Sequence, residues 1–127
     1  TVSLMARRIL LIEDNPYIKE LYTEVLQNAG FEVDNAEDGI LGVDKIKNGG
    51  YDLVLLDMVM PKANGLEVIK AASQNPPSVK NGPIIILTNL TKDAMVQEAL
   101  NKGASSYIVK SDITPGQLIE KVENFLK

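Results

Sequence analysis

The sequence predicts an α/β fold: a doubly wound parallel sheet of five strands with helices on both faces. Three observations predict it. Short apolar runs recur along the chain, and strands that are apolar on both sides belong between two layers of helix. Segments with apolar residues at helical spacing separate those runs. The resulting order is strand then helix, five times over, which calls for parallel strands joined by right-handed crossovers.

The first run is Ile9-Leu10-Leu11-Ile12. Asn15 then stands as a helix cap with Pro16 at the first helical position, and Ile18, Leu21, Tyr22, Val25, Leu26 and Ala29 share one face. Gly30 follows the last turn, where a left-handed residue is wanted. The second run, Phe31 to Ala36, alternates, as an edge strand with one wet face does. A helix fits Asp38 to Asn48, and Gly49-Gly50 ends it. Leu53-Val54-Leu55-Leu56 is the third strand, followed by a helix over Gly65 to Ser73. Ile84-Ile85-Ile86-Leu87 is the fourth, followed by a helix over Lys92 to Lys102 that Gly103 stops. Tyr107-Ile108-Val109 is the fifth. Thr114, Pro115 and Gln117 then supply a cap, a first-turn proline and a capping-box partner for a final helix, whose buried stripe is Leu118, Val122, Phe125 and Leu126.

A chain of 127 residues suits a single domain, residues 1–127, with a structured core over about 8–126 and residues 1–6 as a flexible N-terminal extension. Cysteine and histidine are both absent. That excludes disulfides, thiolate nucleophiles, Ser-His-Asp triads, imidazole metal sites and a phosphohistidine carried by this chain. Carboxylates, hydroxyls, lysines and backbone must do the chemistry, and a metal held by oxygen would be a hard cation such as Mg²⁺. Seventeen acids against 13 bases give a net charge of −4, which argues against a dedicated nucleic-acid surface. No apolar run approaches the length of a membrane span, and Thr1 to Arg8 does not read as a signal peptide. Lack of cysteine fits a reducing compartment, so the cytoplasm is expected.

In sheets of this class ligands sit beyond the carboxyl ends of the strands, near a topological switch point. Glu13 and Asp14 follow strand one, Asp57 follows strand three, Thr88 strand four and Lys110 strand five. One sheet edge thus gathers three carboxylates, a hydroxyl and an ammonium. Clustered carboxylates repel one another, and a divalent cation relieves them. Mg²⁺ takes one or two carboxylates and keeps positions for water and phosphate oxygens. A lysine can hold a phosphoryl oxygen as a point charge, a threonine hydroxyl can donate to another, and a carboxylate can act as nucleophile. These are the parts of phosphoryl transfer.

With these residues in place the chain resembles the response-regulator receiver domain of two-component signalling, from about Arg8 to Leu126. Ile12-Glu13-Asp14-Asn15 is similar to the acidic pair after strand one. Asp57-Met58-Val59-Met60-Pro61, followed by Gly65, is similar to the phosphoacceptor loop. Thr88 and the stretch Gly103 to Lys110 complete the pattern. The resemblance implies a flavodoxin-like (βα)₅ sheet with strand order 2-1-3-4-5. It implies that Asp57 accepts a phosphoryl group from the phosphohistidine of a sensor histidine kinase or a phosphotransfer protein. Asp14, Asp57 and the Val59 backbone carbonyl would ligate Mg²⁺ (Mn²⁺ as a substitute), with Glu13 completing the acidic pocket. Lys110 and Thr88 would bind the phosphoryl group. Thr88 and Tyr107 would act as the switch, changing the face of helix four, strand five and helix five toward a downstream protein, a fused output domain or a second phosphorylated copy. The domain would be regulatory rather than an independent enzyme, limited to self-phosphorylation from small donors and self-dephosphorylation, with no direct contact to nucleic acid or membrane.

Two residues depart from the family pattern. Ser111 follows Lys110 where a proline after a cis bond is usual, and a cis bond before a non-proline residue costs ~3 kcal/mol. Asn89 follows Thr88 where a very small residue is usual, so its side chain is expected to narrow access to Asp57 or to donate a hydrogen bond. Taken singly, the residues have plainer readings: Asp14 and Asn15 as helix caps, Lys110 as a solvated lysine, Tyr107 as strand core, Met58 and Met60 as packing. A phosphorylation-independent scaffold of the same fold is the rival in kind. A flavin carrier is disfavoured, because Glu13 and Asp14 stand where a phosphate-cradling loop would be. Val59 and Leu90 flank the path of the hydrolytic water in the family, and with Asn89 they are expected to tune dephosphorylation. Leu90→Glu is therefore expected to shorten the phosphorylated lifetime, measured as decay of the labelled protein after donor removal; an unchanged lifetime would remove that role.

Overall fold

Alternation decides how the strands lie. The computed structural model describes residues 6–89 and 93–127. Among them, β1 (Arg8–Ile12), β2 (Glu32–Ala36), β3 (Leu53–Asp57), β4 (Ile84–Thr88) and β5 (Ser106–Val109) form one parallel sheet in the order β2-β1-β3-β4-β5. Successive side chains of a strand point to opposite faces. Leu10, Ile12, Val54, Leu56 and Ile86 enter one core, while Ile9, Leu11, Leu53, Leu55, Ile85 and Leu87 enter the other. β3 is buried along its whole length because it has a strand on each side and a helical layer on each face. Each Leu or Ile so buried contributes roughly 1.5–3 kcal/mol.

The helices divide as right-handed crossovers require. α1 (Pro16–Asn28) carries the chain from β1 outward to β2 and packs beside α5 (Pro115–Phe125). α2 (Gly39–Asn48), α3 (Gly65–Gln74) and α4 (Ala94–Lys102) carry it the other way and share the opposite face. The reversal of direction leaves a switch point between β1 and β3.

Helix starts follow side-chain caps. Asn15 Oδ1 accepts from the N–H groups of Tyr17 and Ile18 at 3.0 and 3.2 Å, with Pro16 at the first position as expected. Thr114 and Gln117 form the expected capping box of α5. An unforeseen box, Asn64 with Glu67, starts α3. Asp38 caps α2 from outside the helix rather than lying within it. Asp93 caps α4, and the predicted start at Lys92 lies outside the described residues. A 3₁₀ turn, Lys110–Asp112, between β5 and α5 was not legible from periodicity.

The two edges are unlike. β2 is an edge with a partly wet face, as its alternation predicts, and its Asp34 accepts from Tyr51 Oη and Lys45 Nζ, both at 2.6 Å. β5 is the other edge, and here the expectation of a run buried on both faces fails. Tyr107 is 38% exposed rather than strand core, because β5 has a strand neighbour on one side only. Met58 and Met60 are buried packing residues. No cis peptide bond occurs among the described residues, so the Lys110–Ser111 bond is trans.

Close approach requires a glycine at position 39. A Cβ on Gly39, in the first turn of α2, would overlap the carbonyl oxygen of Ala63 in the β3–α3 loop. Gly39→Ala is expected to lower stability by about 1–3 kcal/mol in urea unfolding. Gly116→Ala in α5, where an added methyl meets nothing within 4 Å, is expected to be neutral or slightly stabilising.

Candidate functional site

Register brings the polar strand ends together. Ile12 pairs with Leu56, so Glu13 emerges one step beyond that pair, beside Asp57. Asp57 pairs with Leu87, which places Thr88 next along. Thr88 pairs with Val109, and Lys110 follows it. A carboxylate oxygen from each of Glu13, Asp14 and Asp57 lies within 4.8 Å of the others. Glu13 and Asp57 are buried and Asp14 is exposed at the mouth. The open cleft above them, about 340 Å³, is lined by Glu13, Asp14, Asp57, Val59, Thr88, Asn89 and Lys110, together with Asn15 and Ile18 of the α1 start.

Lys110 spans the acids. Its Nζ lies 2.7 Å from Glu13 Oε1 and 3.1 Å from Asp57 Oδ1. Glu13 is wholly buried, so its charge needs that partner. Glu13 Oε2 also accepts from the Asn15 N–H at 3.3 Å, and Asp57 Oδ1 from the Val59 N–H at 3.4 Å. Burial and then Glu13 push the Asp57 carboxyl up to about 6, against the pull of Lys110. Burial alone would lower the Lys110 pKa, but Glu13 and Asp57 outweigh it and raise the value. An acid that is costly to ionise, with Asp14 exposed beside it at the mouth, is a group waiting for added positive charge.

Seven of the nine residues nominated from the sequence line this one cleft. Tyr107 does not. It lies along a separate groove between β5 and α5. Leu90 lies outside the described residues. Asn89 lines the cleft, and its Oδ1 accepts from the Ser111 N–H at 2.9 Å. Ile18, read from the sequence only as part of a helix face, also lines the cleft; its place in the first turn after the acidic pair was the available signal.

Residues 9–123 match the sequence profile of the response regulator receiver domain. This chain belongs to that family. The receiver is 33% identical to the chemotaxis protein CheY of Treponema pallidum (strain Nichols), over 94% of this chain and 83% of the relative. Its fold matches a CheY-like receiver domain protein from Methanospirillum hungatei JF-1 with a TM-score of 0.84 at 30% identity, covering 96% of this chain and 94% of the other. It also matches, with a TM-score of 0.82 at 25% identity over 96% and 98% of the two chains, the receiver domain of a sensor histidine kinase from Pseudomonas aeruginosa PAO1. That structure carries a magnesium ion coordinated in its active-site cleft. The doubly wound five-stranded sheet and its 2-1-3-4-5 order are thus those of the family.

The raised Asp57 pKa has a signed consequence for stability. Between about pH 4 and 6 the folded receiver binds more protons than the unfolded chain, so this group's contribution is present below about pH 4 and is lost as pH rises through 6. Asp57→Asn is expected to stabilise the metal-free protein by about 1–2 kcal/mol near pH 7, and hardly at all near pH 4. Urea unfolding in chelator at both pH values checks it.

Proposed function

We propose that this receiver takes a phosphoryl group onto Asp57 from the phosphohistidine of a sensor histidine kinase or a phosphotransfer protein. The observation that carries the reading is the buried Asp57 carboxylate held at 3.1 Å by Lys110, with Glu13 and Asp14 beside it in an open cleft. An Asp57 oxygen attacks phosphorus in line, a P–O bond forms, and the P–N bond to the donor imidazole breaks. The leaving imidazole keeps that electron pair and takes up a proton. Lys110, already on Asp57, follows the charge onto a phosphoryl oxygen. Thr88, buried at the end of β4, supplies a hydroxyl on the far side.

The donor set suits magnesium: all its ligands are hard oxygens, and the acids crowd one another. Asp14, Asp57 and the Val59 carbonyl would hold the ion, Glu13 completing the pocket, with Mn²⁺ as a substitute. When bound, the ion neutralises charge on the transferring oxygens. The magnesium in the cleft of the Pseudomonas aeruginosa receiver supports this reading. Val59, 62% exposed at the cleft, and Asn89 would tune attack by water on the acyl phosphate. Leu90 belongs to the same proposed group.

Phosphorylation would draw Thr88 toward the phosphoryl oxygen and Tyr107 inward from its half-exposed place, altering the α4-β5-α5 face for a downstream protein, an output domain or a second copy. No α-helix among the described residues is long and apolar enough to cross a membrane. A cytoplasmic setting without direct nucleic-acid contact fits the net charge of −4. The domain is regulatory, its own chemistry confined to self-phosphorylation and self-dephosphorylation. A phosphorylation-independent scaffold would have no need of a buried acid pair bridged by lysine.

Incubation with Mg²⁺ and acetyl phosphate is expected to add one phosphoryl group by intact mass. Asp57→Asn and chelated samples should show none. A gain that persists in Asp57→Asn would remove Asp57 as acceptor.

A further inference from the structure

Asn89 and Ser111, the two departures from the family pattern, meet in the structure. Asn89 Oδ1 accepts a hydrogen bond from the Ser111 N–H at 2.9 Å. Thr88–Val109 is the last paired position of β4 and β5. Beyond it the chain turns into the 3₁₀ segment Lys110–Asp112 and leaves ladder geometry. The Asn89 side chain therefore supplies a further rung where the backbone cannot. The rung needs both residues. A proline at 111 would have no N–H to donate, and a glycine or alanine at 89 would have no acceptor.

The rung's place gives it a consequence. Thr88 immediately precedes Asn89, and Lys110 immediately precedes Ser111. Thr88 lines the cleft from β4, and Lys110 reaches Glu13 and Asp57 from the end of β5. The bond thus joins the backbone positions next to two groups that must contact one phosphoryl group from different strands. Positioning of this kind matters because misplacement of a reacting group by an ångström costs rate steeply.

We propose that Asn89 is a positioning residue for phosphoryl transfer: its bond to Ser111 holds the ends of β4 and β5 together so that Thr88 and Lys110 address the same phosphoryl group. This rests on the reading of Asp57 as acceptor. The competing role for Asn89 is bulk alone, a side chain at the cleft that limits entry.

Asn89→Ala and Asn89→Leu separate the two, since both remove the acceptor while changing bulk in opposite directions. The measurements are the rate of Asp57 phosphorylation by acetyl phosphate with Mg²⁺, exchange of the Ser111 amide by NMR, and the melting temperature, all on the whole chain. Both variants are expected to lose Ser111 protection and to react about three- to tenfold more slowly, the scale of one net hydrogen bond, with a melting temperature lowered by only a few degrees. A faster Ala variant with a slower Leu variant would overturn positioning in favour of bulk. Unchanged rates in both would overturn it also. A wild-type protein that takes no phosphoryl group would overturn the acceptor reading itself, and is distinguished because the unsubstituted chain is then inert.

Discussion

Two buried carboxylates and a third at the cleft mouth, with a single lysine between the buried pair, set the terms for the rest of this molecule. Like charges about 4 Å apart repel by roughly 4 kcal/mol at an effective dielectric of about 20. Such a cluster persists only if the surrounding structure holds it. Here β1 and β3 do so, locked side by side by the Ile12–Leu56 register and buried on both faces. Lys110 offsets part of the repulsion, but burial first, and Glu13 second, still raise the Asp57 pKa. The site is thereby biased toward anything that brings positive charge or spreads the negative.

The sheet's topology makes that bias usable. α1 and α2 run to opposite faces because the chain goes outward from β1 to β2 and then crosses back to β3. The cleft opens beyond the strands at this switch point, lined by Glu13, Asp14, Asp57 and Thr88. Caps set the rim: Asn15 starts α1 next to the acids and gives its own N–H to Glu13, so one residue both begins a helix and orders the pocket. Gly39 lets α2 press against the loop that follows Asp57. Stability and chemistry share these contacts, and a change at either glycine or cap reaches the site.

The family pattern and this chain's departures from it carry different information. The acids, the hydroxyl and the lysine place the receiver in its family. Asn89 and Ser111 depart from the usual pattern, and each read alone looks like a loss: a bulkier rim and a missing proline. In the structure they answer each other through one hydrogen bond. Pairwise compensation of this sort cannot be seen one position at a time.

The sequence by itself determined the five strands, the five helices, and which polar residues stand at the ends of strands one, three, four and five. Those depend on local rules: apolar runs, helical spacing, and cap residues such as Asn15-Pro16 and Thr114-Pro115. It missed the Asn64–Glu67 box at the start of α3, where the cap closes a loop that carries no periodic signal. Taken singly, Tyr107 reads as strand core, yet it is 38% exposed, because an apolar triplet looks alike in a central and an edge strand. Only the tertiary structure decided that Lys110 reaches Glu13 as well as Asp57, and that Asn89 accepts from Ser111. These facts join residues 97, 53 and 22 positions apart in the chain. Contacts at such separations are set by strand register and packing, which no local pattern encodes.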